Sequence, residues 1–144
     1  MIRQATKKDA PHIAKLAIQM WDSAALSELE TEIAETIGCE NAVYFIKYAE
    51  DKPIGFAQCQ LRYDYVEGTE TSPVGYLEGI FIQEEFRHRG FAKELLQECE
   101  KWAKKKNCSK FASDCELNNT ESLRFHLAMG FEEANRVICF RKGI

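Results

Sequence analysis

Between Tyr76 and Lys106 the apolar residues change their period once, and that change constrains the fold more than any other feature of the chain. Tyr76-Leu77-Glu78-Gly79-Ile80-Phe81-Ile82 is a dense apolar run of strand length. From Gly90 to Lys106, Phe91, Ala92, Leu95, Leu96, Cys99, Trp102 and Ala103 recur at helical spacing. Lys104, Lys105 and Lys106 fall in the last turn, where they complement the helix dipole. A strand that feeds an amphipathic helix through a short polar loop belongs in a layered, mixed α/β domain. The junction also has chemistry of its own. A helix N-terminus presents unpaired N–H groups and the positive end of a dipole. Gly90 and the small Ala92 let backbone approach a ligand, and Arg87 and Arg89 add positive charge. Such a turn suits a pyrophosphate, although Arg-Gly before a helix also occurs as a plain turn. Neither G-x-x-x-x-G-K-[ST] nor G-x-G-x-x-G is present, which excludes the P-loop and the dinucleotide fingerprint.

The rest of the chain supplies elements to pack around this unit. Residues 2–5 read as a strand. A helix follows, capped by Thr6 or Asp9, with Pro11 favouring Asp9. Its stripe is Ile13, Ala14, Leu16, Ala17 and Met20. A second helix is expected from Ser23 to Ile37, with Leu26, Leu29, Ile33 and Ile37 on one face and Gly38 as a left-handed stop. Glu28, Glu30, Glu32 and Glu35 read as its solvated face. Val43–Ile46 and Ile54 to about Tyr65 read as strands joined at Glu50-Asp51-Lys52, and Glu67–Pro73 as a polar loop. After the long helix come a strand at Lys110–Asp114 and a helix from Asn118 or Asn119 to Met129, stopped by Gly130. A short strand at Phe131 and a last one at Arg136–Lys142 close the chain. The order is β-α-α-β-β-β-α-β-α-β-β, in one domain over 1–144.

Composition narrows the class of function. Apolar residues make up 45% of the 144 and charged residues 29%, which fits a single well-solvated domain with a real core. No apolar run is long enough for a membrane span, and the first residues lack the apolar region of a signal peptide, so a cytoplasmic protein is expected. A net charge of −4 speaks against nucleic acid and suits a cationic small molecule. The six cysteines form no C-x-x-C pair and have no histidine at zinc-ligand spacing. Free, mostly buried thiols and no metal are expected.

Two carboxylates stand out. Period-two geometry puts Glu78 on one face with Tyr76, Ile80 and Ile82, and a buried carboxylate needs a partner or a wet cleft. Asp114 ends the Lys110–Asp114 strand. If the two strands are neighbours, both groups reach the same cleft.

Arg87-x-x-Gly90-x-Ala92, between a strand and a long helix, resembles the [Q/R]-x-x-G-x-[G/A] signature of the GNAT acetyltransferases. Asn119 and the Gly130-Phe131 ending resemble the family's later motif, and the element order matches from end to end. The resemblance implies the GNAT fold: a mixed, mostly antiparallel sheet with two splayed parallel strands, here 76–82 and 110–114, flanked by helices. It implies acetyl-CoA as co-substrate. The backbone of Ile80, Phe81 and Ile82 would pair with the pantetheine arm like an added strand. Arg87, His88, Arg89, Gly90, Phe91 and Ala92 would hold the pyrophosphate, and the Asn119 side chain would bond the arm.

A closer resemblance is to the short aminoglycoside 6′-N-acetyltransferases. It lies in Arg62-Tyr63-Asp64-Tyr65-Val66-Glu67-Gly68, Thr71-Ser72-Pro73-Val74, Leu77-Glu78-Gly79-Ile80-Phe81, Ala112-Ser113-Asp114 and Gly130-Phe131-Glu132-Glu133. It implies a drug site lined by Trp21, Tyr65, Glu78 and Asp114, with aromatics on sugar rings and carboxylates on ammonium groups. Glu78 and Asp114 would bind the acceptor's ammonium and accept its proton, so that the free amine attacks the thioester. Asn135 stands where similar enzymes carry an acidic substrate contact. His126 stands where many GNAT enzymes carry a tyrosine acid for the departing thiolate, and it is either that acid or a packed histidine. The same chemistry on a polyamine, a metabolite or a protein lysine is the alternative, and a non-catalytic acyl-CoA sensor is a third. The resemblance also suggests a homodimer, with Arg136–Lys142 as a candidate edge.

Overall fold

A computed structural model describes residues 1–144. Its strands are β1 (Ile2–Gln4), β2 (Ala42–Ala49), β3 (Lys52–Arg62), β4 (Val74–Ile82) and β5 (Phe111–Ser113). Its helices are α1 (Ala10–Ala17), α2 (Leu26–Ile37), α3 (Phe91–Lys105) and α4 (Thr120–Ala128), with short 3₁₀ turns at Lys7–Asp9 and Glu84–Phe86. The strands lie in chain order, β1-β2-β3-β4-β5, antiparallel except for the parallel β4–β5 pair. No helix is long and apolar enough to cross a membrane.

Alternation along β2 splits the core into two layers. Tyr44 and Ile46 face α1 and α2, where Ile13, Leu16, Leu29 and Ile33 close over Phe56 and Phe81. Val43 and Phe45 face α3, where Leu95, Leu96 and Cys99 cover Ala57, Cys59, Leu77 and Ile82. Phe125, Met129 and Phe131 bring α4 onto the edge of this second layer.

Both expected cap residues stand at the start of the first helix, but the Asp9 side chain does not cap α1. Thr6 precedes the 3₁₀ turn and Asp9 precedes α1. The Asp9 carboxylate accepts from the Thr6 N–H at 2.8 Å and from the Arg3 fork at 2.6 and 2.8 Å. That fork first, and the Thr6 bonds after it, hold the Asp9 carboxyl down at about 2. The chain leaves the helix at Ala17, short of Met20, because Gln19 and Met20 bond three residues back in tighter turns. At Gly38 the expected left-handed stop is absent. Its φ is −73°, and α2 ends through a bond from the Gly38 N–H to the Glu35 carbonyl. Room explains the glycine better, since a Cβ there would lie 3.1 Å from the Lys7 side chain.

Three other expectations are corrected. β3 stops at Arg62, three residues before Tyr65, where the chain turns into the exposed 63–65 segment. The strands expected at Phe131 and Arg136–Lys142 do not form. Residues 131–144 have no strand partner, and Val137, Ile138 and Phe140 stand 70%, 81% and 91% exposed. A lone extended segment without a paired ladder is not a strand. Only Cys59 and Cys99 among the cysteines are buried, while Cys39, Cys115 and Cys139 are exposed.

Candidate active site

The site begins with an irregularity in β4. Gly79 lies opposite Gln58, but Leu77, not Glu78, lies opposite Cys59. Glu78 is therefore the extra residue of a β-bulge. The bulge breaks the period of two, so Glu78 shares a face with Tyr76 but not with Ile80 and Ile82, which pack towards α3. A Cβ on Gly79 would lie 2.9 Å from the Trp21 ring, on the α1–α2 side. β5 pairs with β4 only over Gly75–Leu77, so the β5-facing edge of β4 is open from the bulge to Ile82. This is the expected splay, and the bulge lies where it starts.

Glu78 has both the partner and the water that a mid-strand carboxylate needs. Arg62, at the end of β3, donates to it from Nε and Nη2 at 2.9–3.0 Å, and the Glu78 side chain remains 20% exposed. The Arg62 guanidinium lies 3.4 Å above the Tyr76 ring. The Tyr76 hydroxyl in turn donates to Asp114 Oδ2 at 2.5 Å. Burial, and then that bond, push the Tyr76 hydroxyl well above its ordinary range, so it stays a neutral donor. The two carboxylates are thus joined through Arg62 and Tyr76. Trp21 stands beside them, half-buried against Gly79 and edge-on to Phe56 at 6.1 Å between centroids.

His126 is held at both nitrogens. Nδ1 lies 2.7 Å from the Ser122 carbonyl, which only accepts, so Nδ1 carries the proton. Nε2 lies 2.7 Å from Ser113 Oγ, which is 3.3 Å from the Leu77 carbonyl at the splay. Phe125 and Phe131 meet its ring edge to face. His126 therefore reaches the cleft through the Ser113 hydroxyl.

The turn before α3 carries two left-handed residues, His88 at φ 62° and Gly90 at φ 82°. No side chain caps α3, so its first N–H groups stay available to a ligand. A Cβ on Gly90 would meet nothing within 4 Å, so the space over this nest is open. With the open edge of β4 at Ile80, Phe81 and Ile82, these features fit an extended phosphate-bearing arm. Arg87 is partly committed, because its Nε donates to the Ile82 carbonyl at 2.7 Å. Arg89 is exposed, its guanidinium above the Phe86 ring. Asn119 caps α4 by accepting from the Ser122 N–H at 3.0 Å, which leaves its amide nitrogen for a ligand.

Not every expected residue joins the constellation. Tyr65 stands 75% exposed, and Asn135 donates to Glu67 on the same loop at 3.0 Å. Neither hydrogen-bonds Glu78 or Asp114. Arg62, Tyr76 and Ser113 were not singled out in the sequence. The one available signal was the demand of Glu78 for a cation.

A profile described as the acetyltransferase (GNAT) family matches residues 10–131. The aminoglycoside N(6′)-acetyltransferase type 1 of Salmonella enteritidis is 41% identical over 145 residues, covering 98% of this chain and 97% of that one. Aminoglycoside N-acetyltransferase AAC(6′)-Iy in complex with CoA superposes with a TM-score of 0.95 at 39% identity, covering 99% of this chain and 93% of that one. The same relative in complex with a bisubstrate analogue, CoA-S-monomethyl-acetylneamine, also gives 0.95 at 39% identity, over 100% and 98%.

Proposed function

The chain belongs to the acetyltransferase (GNAT) family, and from that premise we propose that it transfers the acetyl group of acetyl-CoA to the 6′-amino group of an aminoglycoside. The observation that carries the reading is the pair of carboxylates, Glu78 and Asp114, beside the point where β4 and β5 part. Acetyl-CoA supplies the activated acyl group. Its pyrophosphate is assigned to the nest at His88–Ala92 and its arm to the open edge of β4 and the Asn119 amide. Trp21 offers a ring face to a sugar. Tyr65 and Asn135 belong to the outer part of the acceptor site.

Glu78 and Asp114 bind the acceptor as an ammonium and take its proton directly or through water. The freed lone pair attacks the thioester carbonyl, the C–S bond breaks, and the thiolate leaves. An imidazolium at His126, with its Nε2–H on Ser113 Oγ, would give a proton to that hydroxyl as the hydroxyl gives its own to the thiolate, leaving His126 neutral with its proton on Nδ1. The product is an amide without the ammonium charge, which is the chemical basis of resistance to the drug. No cysteine is required as a nucleophile. The buried Cys99 thiol is pushed up first by the neighbouring Cys59 thiol and then by burial, and so disfavours a thiolate.

The exposed Val137, Ile138 and Phe140 support a homodimer in which residues 136–142 find a partner strand. A cytoplasmic location, with its reducing conditions and acetyl-CoA, belongs to the same reading.

The test is thiol release from acetyl-CoA with kanamycin, tobramycin, spermidine and a lysine peptide. A fast signal with a 6′-amine drug, absent for its 6′-hydroxyl analogue, is expected. Release with spermidine or the peptide alone would refute the acceptor and keep the reaction. Binding of acetyl-CoA with no release for any amine would leave a sensor.

A further inference from the structure

We propose that Arg62 is a positioning residue for the acceptor carboxylate Glu78, acting through it rather than on the substrate; the proposal rests on the acetyltransfer reading above. Free carboxylates at the acceptor site would suffice to attract a cation, yet here one of them already holds a guanidinium. The geometry says what that guanidinium does. Nε donates to Oε1 at 3.0 Å and Nη2 donates to both Oε1 and Oε2 at 2.9 Å, a side-on fork of an arginine on a carboxylate. An ionised carboxylate has about four lone-pair sites, and this fork takes two on Oε1 and one on Oε2. The remaining site on Oε2 is left for an incoming ammonium, and the Glu78 side chain is still 20% exposed.

The fork does a second thing. Glu78 is the extra residue of the bulge, with no residue opposite it on β3 to fix its direction. Arg62 supplies the missing constraint from the end of that same strand. The guanidinium is itself fixed, because it lies 3.4 Å from the centre of the Tyr76 ring, whose hydroxyl donates to Asp114. Arg62 is thereby fixed from β4, and Glu78 is fixed through it. The group of Glu78, Asp114 and Arg62 keeps one net negative charge, enough to favour an ammonium without leaving two carboxylates to repel each other.

A competing role is possible for a cation in this place. Arg62 could be a stand-in that the acceptor has to displace, and removing it would then improve acceptor binding. The two roles predict opposite signs. For a positioning residue, Arg62→Ala lowers kcat/KM for the acceptor about 10- to 100-fold, the scale of a small misplacement, while KM for acetyl-CoA stays within about twofold. Arg62→Lys, which keeps the charge and loses the fork, recovers only part of the loss. Guanidinium added below denaturing concentration restores Arg62→Ala but not Arg62→Lys, whose side chain fills the space. In a Glu78→Gln background, Arg62→Ala costs nothing further.

A lower acceptor KM in Arg62→Ala overturns the proposal in favour of displacement. Full activity in Arg62→Lys overturns it by making the fork unnecessary. A further loss in the Glu78→Gln background overturns it by placing Arg62 on the substrate. Thermal melting of each variant separates these outcomes from unfolding. If the wild type acetylates another amine and no aminoglycoside, the acceptor reading fails, and the same variants, assayed on that amine, still decide the role of Arg62.

Discussion

Gly90 and Gly130 form a matched pair of perturbations that separates a cost to the fold from a cost to the cofactor. Both have left-handed backbones, at φ 82° and 91°, and a Cβ at either would meet nothing within 4 Å. Replacing either with alanine therefore brings no clash and one left-handed non-glycine residue, about 1 kcal/mol. For a chain of this size that lowers Tm by about 2–4 °C. The two differ in what lies beyond the Cβ. Gly130 closes α4, with the Gly130 N–H bonded to the Leu127 carbonyl and the Phe131 N–H to the His126 carbonyl, bonds that alanine retains. Gly90 opens α3, and its Cβ would fill space assigned to a pyrophosphate. Losing one or two charge-assisted bonds from that nest is worth about 1.5–3 kcal/mol, or roughly 10- to 100-fold in affinity. Thermal melts should show equal shifts for Gly90→Ala and Gly130→Ala. Titration with acetyl-CoA should show a 10-fold or greater loss for Gly90→Ala alone. Equal affinities in the two variants would refute the assignment of the pyrophosphate to this turn.

Other consequences can be checked on the same protein. Glu78→Gln and Asp114→Asn should each lower kcat/KM for the acceptor by about 10²–10⁴ with acetyl-CoA binding retained, measured by thiol release and titration. Gly79→Ala should push Trp21 off β4, costing about 1–3 kcal/mol in urea unfolding and raising acceptor KM, because its Cβ would come within 2.9–3.1 Å of the ring. The Asp9 carboxyl is buried and held at about 2, below its unfolded value near 4. Its depressed value contributes stability that is full above about pH 4 and is lost as pH falls through about 2. Asp9→Asn should therefore unfold about 2 kcal/mol more easily at pH 7, with the gap closing as urea melts are taken below pH 4.

The parts of this fold that could be read in the sequence are those governed by local period and local backbone. The switch from the Tyr76–Ile82 run to the Phe91–Ala103 stripe marked β4 and α3 to within two residues. Gly130 is left-handed where the end of α4 demanded a stop. Gly38 is not, because a steric reason for glycine looks the same in a sequence as a conformational one. The bulge at Glu78 was illegible because it is a property of register between two strands. Without the register, Arg62 cannot be matched to Glu78, nor Tyr76 to Asp114 across 38 residues. The final strand failed for a related reason. An apolar run such as Val137–Phe140 says that it wants a neighbour, not whether the chain supplies one.

The bulge also bears on how freely this sequence can vary. Take Glu78 out altogether and the count on β4 again matches that on β3, Gly79 follows Leu77 onto the opposite face, and alternation runs unbroken from Val74 to Ile82. The sheet would be tidier by one codon, and the carboxylate proposed to bind the acceptor would be lost in the same step. Length at this point is therefore under as strict a demand as identity. On the proposed role of Glu78, a more regular strand here and the acetyl transfer exclude one another.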